Sequence, residues 1–174
     1  TKFEKETFGK KELTDAKGKI NFNGVIFGYD KTNPMLKNMN FEIKPGETVA
    51  LVGSENSGKS TIIKLLMRKY DLIGGNITID DINIMELSKN TLRSNISIVK
   101  QDSYIFNMSI KDNLLLVKPD ATKKELDDVC KKVDIYDYIM SLPKKYNTIV
   151  GTDGVNLSGS QKQKLSIARA LLKN

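Results

Sequence analysis

A glycine-containing segment carries the clearest chemical signal in the sequence. It reads Gly-Ser-Glu-Asn-Ser-Gly-Lys-Ser and matches G-x-x-x-x-G-K-[ST], the pattern of a phosphate-binding loop. Glycines let consecutive backbone N–H groups curl around phosphate oxygens without a Cβ in the way. We predict that the Lys59 ammonium reaches the β- and γ-phosphates of a nucleotide and that the Ser60 hydroxyl binds Mg²⁺. The predicted phosphate site comprises Gly53, Ser54, Glu55, Asn56, Ser57, Gly58, Lys59, Ser60 and Thr61.

A second polar motif opens the last predicted helix. It reads Leu-Ser-Gly-Ser-Gln over residues 157–161 and contains the capping-box pattern S-x-x-Q. We therefore expect Ser158 to cap the helix and Gln161 to reach back to it. A further glutamine, Gln101, directly follows a short predicted strand.

Hydrophobic periodicity predicts the elements that position these residues. The β-branched run 48–52 predicts a strand buried on both faces directly before the loop, and residues 59–70 predict a helix directly after it. A one-residue slip at Asn23-Gly24, inside the alternating segment 20–29, predicts a β-bulge. Further strands are predicted at 39–43, 76–80 and 96–99, and further helices at 87–93, from 122 onward (a T-x-x-E capping box), at 135–142 and at 160–172.

These elements predict an α/β fold in three parts. Residues 1–18, the lead-in, lack periodicity and are interpreted as a solvated linker. Residues 19–101 form an α/β core that contains the phosphate loop. Residues 102–174 form a mostly helical subdomain that includes the Ser158 motif.

Composition excludes several classes of function. The chain has 174 residues, a net charge of +7, one cysteine and no histidine. Without histidine, His-based acid–base catalysis, Ser-His-Asp triads and most zinc sites are ruled out. Cys130 lies on the apolar stripe of a predicted helix, so we expect it to pack in the core. No apolar run approaches the ~18 residues of a membrane-spanning helix, and the positive charge suits an anionic partner such as a nucleotide.

Taken together, the phosphate loop, Gln101 and the Leu-Ser-Gly-x-Gln helix start closely resemble the ATP-binding domains of ABC transporters. The resemblance covers residues 19–174 and implies a P-loop NTPase core with an antiparallel β subdomain and a helical subdomain. It implies that Tyr29 stacks on adenine. It also implies catalytic roles for Lys59 and Gln101, the latter touching both Mg²⁺ and the attacking water.

The resemblance also implies partners. ATP and Mg²⁺ are the expected cofactors, and a second ATP-binding domain closes the site head to tail. In that dimer Ser158 and Gly159 serve the γ-phosphate bound by the partner, and Gln161 belongs to the same motif. The segment 146–154 resembles the coupling segment of exporter-type members, including bacterial multidrug and peptide exporters. We therefore expect a membrane domain in the same chain, a location on the cytoplasmic face of the cell membrane, and no specific nucleic acid.

Three departures from the family pattern accompany this resemblance. Ser160 stands where the signature usually has a second glycine, and Thr152 stands where exporters usually carry an acidic residue. The sequence stops at Asn174, where the family continues into its Walker B strand and, further on, a switch histidine. We accordingly expect a truncated domain that lacks the C-terminal core strands and has no ATPase activity on its own.

Two alternatives come from other classes. A P-loop kinase or GTPase would account for the phosphate loop, and Asp71-Leu72-Ile73-Gly74 matches D-x-x-G. That match follows the loop helix almost at once, however, and the sequence has no Asn-Lys-x-Asp guanine reader. An ABC-type ATPase of DNA maintenance would suit the positive charge, but such heads carry long coiled-coil insertions between loop and signature that do not fit here.

Overall fold

The computed structural model describes residues 7–100 and 103–173, and the chain forms two compact units, 1–96 and 97–174. The first unit contains a four-stranded antiparallel sheet in the order β2-β1-β3-β4. Its strands are β1 (Ile20–Phe27), β2 (Leu36–Ile43), β3 (Gly74–Ile79) and β4 (Ile82–Asn83), and its helices are α1 (Lys59–Leu66) and α2 (Lys89–Asn95).

Side chains along β1 alternate between the two faces of the sheet, and one face lies in the core of this unit. Phe22, Val25 and Phe27 are buried, and the Phe22 ring stacks on Phe41 of β2 at 4.4 Å between centroids. The register of β1 against β2 shifts between Phe22 and Val25, which confirms the predicted bulge. Beside it, Gly75 has φ +77°, and a Cβ there would lie 2.3 Å from the Gly24 carbonyl oxygen. The bulge thus brings two backbones so close that only glycine fits.

Two predicted strands are wrong. Neither 48–52 nor 96–99 is a strand, and Val52 is 93% exposed. A buried parallel strand requires a hydrogen-bonding neighbour on each side. Among the described residues no other segment forms a ladder with either run. β-Branched residues favour an extended backbone. An extended segment without a partner strand does not form a sheet.

The described part of the lead-in is mostly exposed, and it forms hydrogen bonds with residues 80–88 of the same unit. The Lys11 N–H donates to the Glu86 carbonyl at 2.8 Å, and the Ser88 N–H donates to the Lys11 carbonyl at 2.8 Å. The Asp80 carboxylate accepts hydrogen bonds from the backbone N–H groups of residues 17–19. Each of these bonds uses a backbone N–H or carbonyl group of residues 11–19, so it leaves no periodic pattern in the sequence.

The second unit is mostly helical. A small two-stranded antiparallel sheet of β5 (Met108–Ser109) and β6 (Ile149–Val150) accompanies four helices and a 3₁₀ turn at Lys145–Asn147. The predicted capping box is confirmed at Thr122, whose side chain accepts from the Glu125 N–H while Glu125 bonds back to the Thr122 N–H. The helices are α3 (Ile110–Leu115), α4 (Lys123–Lys132), α5 (Tyr136–Ser141) and α6 (Gly159–Leu172).

The core of the second unit lies among these helices. Cys130 of α4 is fully buried, as predicted, and burial raises the pKa of its thiol to about 11. Asn113 of α3 is also fully buried, and its side chain bonds to the backbone of Phe106, Met108 and Ser109. In the described part of the chain, no helix combines the length and apolarity that crossing a bilayer requires.

Candidate nucleotide-binding site

The backbone of the phosphate loop turns sharply before α1. The Ser57 N–H donates to the Ser54 carbonyl at 3.3 Å, and Asn56 and Gly58 have left-handed φ angles of 59° and 93°. Gly58 is the N-cap of α1, and its carbonyl accepts from the Ile62 N–H at 3.0 Å. A Cβ on Gly58 would lie 2.9 Å from the Leu36 side chain. Glycine is therefore required here both by conformation and by space.

The ammonium of Lys59 lies against the loop. It donates to the carbonyls of Gly53 and Ser54 at 2.8 and 2.6 Å and to the Ser57 hydroxyl at 3.3 Å. A Cβ on Gly53 would lie 2.6 Å from that hydroxyl, so the Ser57 side chain would have to move to accommodate it. The Lys59 ammonium is thus held within the loop for which we predict phosphate binding.

The N-terminus of α1 adds to this positive potential. Its first turn contains no acidic side chain, so the partial positive charge of the helix end is not neutralised locally. A lysine ammonium, a glycine-flanked loop and a helix N-terminus together form a donor set that suits a polyphosphate. Ser60 lies exposed in this first turn, and its hydroxyl suits Mg²⁺, a cation that prefers oxygen ligands.

Tyr29 lies beside α1, as its predicted role requires. Its hydroxyl is 3.2 Å from the Thr61 hydroxyl and accepts from the Lys64 ammonium at 3.3 Å. The hydrogen bond with Thr61 and the nearby Lys64 lower the pKa of Tyr29 below its usual value. The side chain is 54% exposed and packs edge-on against Phe27 and Tyr70, each 5.2 Å away between ring centroids. A fixed, accessible ring of this kind can stack on a base.

Sequence reasoning missed Lys64 and Tyr70 as neighbours of Tyr29. Lys64 follows Thr61 by three positions, so both lie on the same face of α1. That spacing is a signal that could have identified Lys64. Tyr70 lies beyond the end of α1 and is brought to Tyr29 by the fold of the chain, so no local pattern predicts it.

The second motif lies in the second unit and starts α6 as predicted. The Ser158 side chain accepts from the Gln161 N–H at 3.2 Å, and the Gln161 side chain accepts from the Ser158 N–H at 2.8 Å. Gly159 and Ser160 are exposed, and a Cβ on Gly159 would meet nothing within 4 Å. This helix start therefore presents free backbone N–H groups to solvent. Gln101 lies outside the described residues.

Asn107 holds the end of the segment that resembles the exporter coupling segment, and strand β6 within that segment pairs with β5. Asn107 donates from its amide to the Asp153 carboxylate, and its carbonyl oxygen accepts from the Asp153 N–H at 3.3 Å. Gly151 has φ +114° and lies against Asn107, where a Cβ would approach within 3.0 Å. Thr152 is exposed, so the residue that departs from the family pattern lies on the surface.

Comparison with known proteins identifies relatives over nearly the whole chain. The family model described as ABC transporter matches residues 36–174. An ATP-dependent lipid A-core flippase of Saccharophagus degradans is 43% identical over 166 residues, covering 95% of this chain and 28% of that protein. A heavy metal tolerance protein of Schizosaccharomyces pombe is 43% identical over 163 residues, covering 94% of this chain and 20% of that protein.

A solved structure agrees with these relatives. The structure of a bacterial Atm1-family ABC exporter with ATP bound matches with a TM-score of 0.85 at 39% identity, covering 94% of this chain and 30% of that one. The chain therefore spans less than a third of the length of these proteins. They favour the transporter interpretation over the kinase, GTPase and DNA-maintenance alternatives.

Proposed function

The chain belongs to the ABC transporter family, and from this membership we propose that it is the ATP-binding part of an exporter, with MgATP held by the phosphate loop and Tyr29. The observation that carries this proposal is the Lys59 ammonium, bonded to three oxygens of the loop itself. The complete protein hydrolyses ATP to drive export.

Each candidate site residue has a distinct task in this proposal. Lys59, the loop N–H groups and Thr61 bind the phosphates, because they supply a cation and oriented donors. Tyr29 stacks on adenine. Ser60 and Gln101 hold Mg²⁺, which when bound neutralises charge on the β- and γ-phosphates. Gln101 also orients the attacking water.

A second copy completes the site in this proposal. ABC domains pair head to tail, so the exposed start of α6 with Ser158, Gly159 and Gln161 serves the γ-phosphate bound by the partner. The free N–H groups and the partial positive charge of this helix end suit that role.

The remainder of the exporter lies at the membrane in this proposal. A membrane domain of the same chain carries the transported substrate, the lead-in connects to it, and segment 146–154 couples the two. The domain then sits at the cytoplasmic face of the cell membrane. One relative is named a lipid A-core flippase and another structure is titled an exporter, which supports outward transport here.

Titration calorimetry with MgATP tests the proposal through Lys59→Ala. Loss of a charge-assisted hydrogen bond of about 1.5–3 kcal/mol predicts affinity about 10- to 150-fold weaker. Lys37→Ala is the matched control, because Lys37 is an exposed lysine on β2. That variant should bind like the parent chain. Equal binding by Lys59→Ala and Lys37→Ala would contradict the proposed phosphate site.

A further inference from the structure

The second unit contains a cavity that the proposed function does not use. Its volume is about 650 Å³, within the range typical of small-molecule sites. It lies between the start of α4 and the loop that follows α5. Leu126, Pro143 and Tyr146 supply apolar walls.

Positive charge surrounds this cavity. Lys111 of α3, Lys123 of α4, and Lys144 and Lys145 after α5 all line it. Lys123 pairs with Asp127 at 2.9 Å. Over residues 7–100 and 103–173, the other three have no carboxylate within ion-pair distance. Three ammonium groups, one on α3 and two on the turn after α5, are therefore left to bind an anion.

Tyr146, which forms one wall of the cavity, packs against the hydrophobic core of the second unit. Its hydroxyl oxygen is buried, next to Cys130 and Asp127 of α4, while the residue as a whole is only half-buried. Burial of the hydroxyl raises the pKa of Tyr146 well above its usual value, so the side chain stays neutral. The ring thus presents a fixed apolar surface to the cavity.

We propose that this cavity binds an amphipathic anion, whose apolar body lies against Leu126, Pro143 and Tyr146 and whose phosphate or carboxylate pairs with the three free lysines. Inorganic phosphate would leave the apolar walls without a partner, and a neutral hydrocarbon would leave the lysines without one. Either part alone therefore binds more weakly than a molecule that carries both.

The probe is octyl phosphate below its micelle-forming concentration, followed by the methyl NMR signals of Ala121 and Leu126. We expect saturable shifts of these signals and affinity at least tenfold higher than for octanol or inorganic phosphate. The triple variant Lys111→Ala/Lys144→Ala/Lys145→Ala should bind about tenfold or more weakly. The control triple Lys10→Ala/Lys37→Ala/Lys44→Ala removes the same charge from exposed lysines of the first unit and should bind within about twofold of the parent chain.

Three outcomes overturn the proposal. The first is octyl phosphate binding that the variant Lys111→Ala/Lys144→Ala/Lys145→Ala leaves unchanged, and the second is an absence of shifts at the methyl groups of both Ala121 and Leu126. The third separates a free ligand from a lipid surface: vesicles of phosphatidylglycerol bind through the three lysines while monomeric octyl phosphate does not. Should the triple fail to fold by circular dichroism, Lys144→Glu on the exposed loop replaces it, with an expected loss of at least fivefold.

Discussion

Substitution of Tyr29 separates recognition of the base from recognition of the phosphates. The Tyr29 ring is accessible for stacking, whereas its hydroxyl bonds to Thr61 and Lys64 on the phosphate-loop helix. Tyr29→Ala removes both features, and Tyr29→Phe removes only the hydroxyl. The pair of variants therefore reports which feature contributes to nucleotide binding.

The expected magnitudes differ between the two variants. Stacking of a base on an aromatic ring is worth about 1–3 kcal/mol, so Tyr29→Ala should weaken MgATP binding about 5- to 150-fold. Tyr29→Phe keeps the ring and releases the Thr61 hydroxyl for a phosphate oxygen. We expect its affinity to stay within about threefold of the parent, because one neutral hydrogen bond contributes about 0.5–1.5 kcal/mol and a new one replaces it.

Calorimetric titration with MgATP and with magnesium tripolyphosphate distinguishes the causes. Tripolyphosphate has no base, so its affinities for the parent chain, Tyr29→Ala and Tyr29→Phe should agree within about threefold. If Tyr29→Ala weakens tripolyphosphate as much as MgATP, Tyr29 acts by positioning Thr61 and the stacking argument is refuted. Equal losses for Tyr29→Phe and Tyr29→Ala would refute it as well.

Further predictions concern stability, measured by urea unfolding. Gly75→Ala should cost about 1–3 kcal/mol more than Gly46→Ala, because both glycines have positive φ but only a Cβ on Gly75 overlaps another backbone. Asn113→Ala should cost about 2–4 kcal/mol, since it removes the hydrogen bonds that this fully buried amide makes to the backbone of Phe106 and Ser109. A hydrogen bond from Lys118, followed by the capping bonds with Thr122, lowers the pKa of Glu125 from 4.5 to about 2. The stability that Glu125 contributes is therefore complete above about pH 4.5 and should fall as the pH drops toward 2, and Glu125→Gln should flatten this dependence.

Local signals account for what the sequence predicted correctly. Each correctly predicted feature depends on residues within about one turn of each other. These features are the bulge at Asn23-Gly24, the capping boxes at Thr122 and Ser158, and the loop before α1. Their physical causes are short-range: a φ angle that favours glycine, or a side chain that reaches a nearby N–H group. Such features are formed largely independently of the rest of the fold.

Features that depend on distant partners were predicted poorly. The run 48–52 has the composition of a core strand, yet strand formation requires a neighbour that composition cannot identify. Helix α1 was predicted to continue to Tyr70 on apolar periodicity, but it ends at Leu66, and Arg68 adopts a left-handed φ of 49°. Arg68 is buried there, with its guanidinium 4.6 Å from the ring of Phe8 in the lead-in. The periodic pattern around α1 contains no signal for a contact between residues so far apart in sequence.

The phosphate loop shows how a locally encoded feature can select its ligand. Lys59 already bonds to two carbonyls and one hydroxyl, so a ligand must offer stronger acceptors to draw its ammonium away. Phosphate oxygens carry charge, and hydrogen bonds to charged acceptors are roughly twice as strong as those to neutral ones. A neutral sugar or amide offers no such gain over the oxygens of the loop. The internal bonds of Lys59 therefore favour polyphosphates over neutral ligands, and in the proposed function adenine recognition depends on Tyr29.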